Sequence, residues 1–131
     1  MIGLDTNVIV RYIMQDDPKL SQKATRLIEA LSADAPGFVP LVAIVEIVWV
    51  LTSCYDLKRD QVALAIDGIL RTKEFIVDRT EQVAQALRVY KAGSADFADS
   101  LIERSATSAG CERVMTFDAS AAKSAGMTLI A

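Results

Sequence analysis

Four of the seventeen acidic residues in this chain stand where a solvated surface does not account for them. Asp5 follows directly on Ile2-Gly3-Leu4, and Asp118 on Val114-Met115-Thr116-Phe117, so each lies just past the end of an expected strand. In an open parallel sheet that is where ligands bind. Glu46 is the only charge in the fourteen residues from Phe38 to Leu51, and a carboxylate in such a run needs a partner, because burying it alone is costly. Asp99 comes three residues after Asp96 at the start of an expected helix, so both share a face near its positive end. Structural roles are open to each: Asp5, Asp96 and Asp118 suit helix N-caps, and a buried Arg can satisfy Glu46.

Taken together, Asp5, Glu46, Asp99 and Asp118 can converge at the carboxyl edge of one sheet. An all-oxygen donor set selects a hard cation, Mg²⁺ or Mn²⁺, over zinc or copper. The chemistry this supports is phosphodiester hydrolysis, with a metal-activated water and stabilised charge on phosphorus and the leaving oxygen. Thr6, Asn7 and Thr116 adjoin the acids and can fix their geometry by hydrogen bonds. The chain has no histidine, which excludes Ser-His-Asp, Cys-His and paired-histidine mechanisms. Most of the other acids, Asp16 among them, read as solvated surface.

The elements that must position these residues follow from the apolar pattern. Short β-type runs at 2–4, 38–40, 75–77, 113–117 and 127–130 alternate with helices over 7–14, 18–33, 41–55, 60–72, 81–90, 97–108 and up to Lys123. That alternation predicts an α/β fold with a parallel sheet. Asp17 before Pro18 and Thr80 before Glu81 are expected N-caps, and the helix from Leu41, apolar on nearly every side, is expected to be buried. At 131 residues, with no linker or repeat, a single domain over 1–131 is expected.

Composition narrows the setting. Apolar residues make up 52% of the chain, and a mean hydropathy of +0.30 points to an oligomer or a covered surface. The longest apolar run is too short to span a membrane, and the N-terminus has no secretory pattern, so a cytoplasmic protein is expected. Cys54 and Cys111 are 57 positions apart and read as small core residues. A net charge of −3 and a pI near 4.9 argue against a protein coated by nucleic acid, so RNA or DNA must meet a local site.

Four segments, Ile2-Gly3-Leu4-Asp5-Thr6-Asn7, the lone Glu46 in its apolar helix, Ala95-Asp96-Phe97-Ala98-Asp99-Ser100-Leu101-Ile102 and Met115-Thr116-Phe117-Asp118, together resemble the PIN domain, specifically the VapC-like toxins of bacterial toxin–antitoxin pairs. The resemblance spans the chain. It implies a Rossmann-like three-layer sandwich with a central parallel sheet, and a Mg²⁺-dependent endoribonuclease acting on RNA. It also implies an antitoxin whose C-terminal segment occupies the groove, and a homodimer formed near the 41–70 helical hairpin. Carried over, the metal-site acids are Asp5, Glu46, Asp99 and Asp118, with Asp96 as an accessory acid. Arg11, Lys19, Lys23, Lys91 or Arg104 are the bases available to line such a groove.

Two other readings compete. A phosphoryl-transfer domain with an aspartyl nucleophile needs an acidic pair and a strand-end Lys, and neither accompanies Asp5 or Asp118. A catalytically silent PIN-like protein-interaction or RNA-binding module fits the apolar composition, but retention of all four acids speaks against it.

Overall fold

The computed structural model describes Met1–Ala131, which divides into two compact units, Met1–Asp78 and Arg79–Ala131. The first contains β1 (Ile2–Gly3), α1 (Thr6–Met14), α2 (Pro18–Glu29), β2 (Gly37–Val39), α3 (Leu41–Ser53), α4 (Arg59–Arg71) and β3 (Phe75–Val77). The second contains α5 (Thr80–Ala92), α6 (Phe97–Ser108), β4 (Met115–Thr116), α7 (Ala119–Ser124) and β5 (Thr128–Leu129). The α/β class with parallel pairing is as expected. Strands pair as β1-β2-β3 and as β4-β5, all parallel.

In the first unit, Ile2 pairs with Gly37, which in turn pairs with Phe75, so the three strands start in step. Gly37 allows close approach: a Cβ there would meet Leu4 Cδ1 at 2.7 Å and Leu31 Cδ1 at 2.9 Å, so the leucine ends would have to shift. Ile9, Val39, Ile44, Ile47, Leu51, Val62 and Ile66 are fully buried and form the core between sheet and helices. Helix α2 begins as the sequence predicts, with Asp17 Oδ1 accepting the N–H groups of Lys19 and Leu20, and Pro18 filling the first turn.

In the second unit α5 packs on α6, with Val83, Ala86, Leu87, Tyr90, Phe97 and Leu101 buried. Tyr90 and Phe97 meet edge to face, ring centres 5.8 Å apart. Gly110, after α6, has φ +97°, a left-handed turn that glycine adopts without penalty.

Several expectations need correction. Helix α3 is not enclosed on all sides: Ala43, Ile44, Ile47 and Leu51 face the core, whereas Val42 (73% exposed) and Trp49 (62%) face outward, and Glu46 is exposed between them in sequence. Its outer face is apolar, so periodicity alone hides it. Thr80 does not cap α5; the cap is Arg79, in the left-handed region at φ 51°, and Thr80 begins the helix. Cys54 and Cys111 are both exposed rather than core. Strands β4 and β5 are two residues each, shorter than their apolar runs.

Candidate functional site

The first unit brings Asp5 and Glu46 onto one open pocket of about 680 Å³, which Thr6, Asn7, Arg11, Asp16, Cys54 and Tyr55 also line. Asp5 is the N-cap of α1, held where β1 ends. Its Oδ1 accepts the N–H of Thr6 at 2.8 Å. The Thr6 hydroxyl donates to Glu46 Oε1 at 2.5 Å, across forty residues of sequence. Thr6 is therefore bonded to both carboxylates, and each carboxylate keeps its other oxygen, Asp5 Oδ2 and Glu46 Oε2, outside the fold's own hydrogen bonds.

Asp16, exposed as the sequence predicts, also lines this pocket. It accepts from Arg11 Nη1 at 3.2 and 3.3 Å and from the Tyr55 hydroxyl at 2.7 Å. The Tyr55 bond first, then a bond to its own backbone and the one from Arg11, hold the Asp16 carboxyl below its ordinary range, and the Tyr55 bond raises the Tyr55 hydroxyl. No sequence signal links Asp16 to Tyr55, because the contact spans thirty-nine positions. Asp78, directly after β3, is a further acid that the motifs do not single out. It accepts the Leu41 N–H at 3.2 Å and so caps α3, whose own N-cap, Pro40, offers no side-chain acceptor.

In the second unit Asp96 caps α6 through its Oδ1, which accepts the Asp99 N–H at 3.0 Å. Asp99 lies in the first turn, half-buried. Burial, then the charges of Asp96 and Asp118, raise its carboxyl above the ordinary range. Asp118 caps α7: its Oδ1 accepts the N–H groups of Ser120 and Ala121, leaving Oδ2. Thr116 Oγ1 accepts the Asp118 N–H at 3.0 Å and so fixes the backbone that carries this acid.

Within neither unit are three or more Asp, Glu or Cys side chains gathered closely enough to enclose an ion. The donor chemistry nevertheless suits Mg²⁺ or Mn²⁺: the oxygens left over by the fold are hard anionic donors, and no imidazole stands near them. Among the bases, Arg11 lines the pocket of Asp5 and Glu46, Lys23 lines a neighbouring one, and Arg104 is engaged by Glu103 at 2.6 Å. Lys19 and Lys91 are exposed on α2 and α5.

Against known proteins, the family model described as "PIN domain" matches residues 2–126. The chain is also similar to a VapC ribonuclease of Aquifex aeolicus (strain VF5), 26% identical over 115 residues, which covers 87% of this chain and 84% of that protein.

Proposed function

The chain belongs to the PIN domain family, and from that premise we propose that it is a Mg²⁺- or Mn²⁺-dependent endoribonuclease, the toxin of a toxin–antitoxin pair. The observation that carries this reading is that Asp5, Glu46 and Asp118 each keep a carboxylate oxygen free after the fold's hydrogen bonds are made, in a chain similar along most of its length to a VapC ribonuclease. Asp99, whose carboxyl accepts no hydrogen bond from the chain, completes the set, with Asp96 as accessory acid.

In this reading Asp5, Glu46, Asp99 and Asp118 hold the ion. Once bound, the ion would supply a hydrolytic water of lowered pKa and offset negative charge on the reacting phosphate. The chain's own part is positional. Thr6 sets Asp5 through its N–H and Glu46 through its hydroxyl, and Thr116 sets Asp118. Asn7, on the same pocket, offers an amide to the substrate or to a water.

The reading also takes 1–131 as one PIN domain, supported by a family match that runs across both units. It assigns an antitoxin as protein partner, a homodimer through the α3–α4 hairpin, and a cytoplasmic site of action. No helix is long and apolar enough to cross a membrane.

The test is cleavage of total cellular RNA by the purified, antitoxin-free protein with Mg²⁺ or Mn²⁺, with EDTA, and with Asp5→Asn or Asp99→Asn. Discrete fragments that require metal and disappear in both variants are expected. A folded protein that binds Mn²⁺ but cuts no RNA would turn the assignment to a silent binding module.

A further inference from the structure

Arg11 is the one cation on the pocket that Asp5 and Glu46 line, and three carboxylates share that lining with it. A strand of RNA entering there meets net negative charge unless Arg11 engages a phosphate. The side chain is built for that. Nη1 is tied to Asp16 at 3.2 and 3.3 Å, and Asp16 is tied in turn to the Tyr55 hydroxyl at 2.7 Å, just beyond the end of α3. Nε and Nη2 donate to nothing in the chain. A guanidinium anchored through one nitrogen, with the rest of its planar fork open, suits a phosphate oxygen pair better than an ammonium does.

Direction decides which phosphate it meets. Arg11 lies six residues past Asp5, about 9 Å of helix rise along α1. Its bond to Asp16, five residues further on, draws the guanidinium toward the C-terminal end of α1 and away from Asp5. A second pocket, of about 350 Å³, shares Asn7 and Arg11 with the first and is lined on its other side by Leu20, Lys23 and Leu27 of α2. A strand that leaves the carboxylates past Arg11 therefore enters a groove with an apolar floor and a further cation.

We infer that Arg11, oriented by Asp16 and Tyr55, grips the RNA phosphate next to the one being cut, with the strand continuing between α1 and α2. Arg11 is a substrate-binding residue, and Asp16 and Tyr55 are positioning residues. The inference rests on the ribonuclease reading for the identity of the strand.

The experiment pairs steady-state cleavage of a fluorescent single-stranded RNA with equilibrium binding of the same RNA in EDTA over a salt series. Arg11→Gln is expected to raise KM about tenfold with kcat changed by no more than about twofold. It should also lower the slope of log affinity against log salt by about 0.7, one phosphate contact on a single strand. Arg11→Lys restores the slope but only part of KM. Tyr55→Phe, which keeps the ring and releases Asp16, raises KM about threefold with the slope unchanged, an effect on hydrogen-bond geometry alone. If the wild type cleaves RNA and Arg11→Gln and Arg11→Lys keep its KM and slope, the inference is overturned and the ribonuclease stands. If RNA is bound but not cut and Arg11→Gln lowers the slope, the phosphate contact stands without the enzyme. A protein that neither cuts nor binds RNA overturns both.

Discussion

Thr6 is one of only three buried polar or charged residues, and it is the one bonded to both Asp5 and Glu46. Its hydroxyl orients Glu46, so Thr6→Val, close in shape but lacking the donor, should weaken Mn²⁺ binding about tenfold while costing about 1 kcal/mol of stability. Titration calorimetry and a urea melt separate the two effects; an unchanged Mn²⁺ affinity would remove Thr6 from the site. The sequence points to Thr6 as a neighbour able to hold a carboxylate, and to Glu46 as a charge in need of a partner. It does not pair them, because the helical pattern of 41–55 says nothing about which residue forty positions away meets it. Asp16 was hidden for the same reason, its partner Tyr55 being distant in sequence. Glu103 offers a test by pH. Its carboxyl is held below the ordinary range first by Arg104 and, more weakly, by Thr107, so its contribution to stability is present above the unfolded value and lost as pH falls through the folded one. Glu103→Gln should cost about 1 kcal/mol at pH 7, a gap that closes toward pH 3 in denaturant melts; a gap constant with pH would sink this account.

At the scale of elements, the helices with a chemical start signal were legible. Asp17-Pro18, Asp96 and Asp118 each announce an N-terminus, and the structure places α2, α6 and α7 directly after them. The caps of two others were not: α3 starts at Leu41 as the sequence predicts, but Asp78 caps it from the end of β3, and α5 is capped by a left-handed Arg79 rather than by Thr80. Strands two residues long leave almost no periodicity to read, so β4 and β5 were overextended. Asp118 shows how a cap and a proposed ligand coexist, since Oδ1 takes the two helix N–H groups and Oδ2 remains. Asp118→Asn keeps an acceptor for the cap and removes the charge, whereas Asp118→Ala removes both. The Asn variant should melt within about 0.5 kcal/mol of wild type and the Ala variant about 1 kcal/mol lower, while both lose Mn²⁺ affinity in calorimetry. Wild-type affinity in Asp118→Asn would leave Asp118 as a cap alone.

For the whole molecule, the high apolar content predicted a covered surface, and part of it lies outward on the helical hairpin: Val42 and Trp49 on α3, and Leu64 on α4, which is 72% exposed. At about 100° per residue, Trp49 and Val42 lie on α3 to one side of Glu46, while Val50, which lines the pocket with Glu46, lies to the other. An interface centred on Trp49 would thus border the pocket at Glu46 without covering Val50. Large exposed aromatics of this kind dominate the energetics of interfaces when buried. For the proposed homodimer, Trp49→Glu is accordingly expected to raise the dissociation constant at least about thirtyfold in sedimentation equilibrium, a loss of roughly 2 kcal/mol. Mn²⁺ affinity should be unchanged, because Trp49 does not line the pocket. RNA cleavage by the separated protomer should retain kcat if each copy carries a complete site. A Trp49→Glu protein that sediments as the wild type does would place any self-association on a different face, and one that is monomeric but has lost Mn²⁺ binding would mean that the second copy supports the metal site.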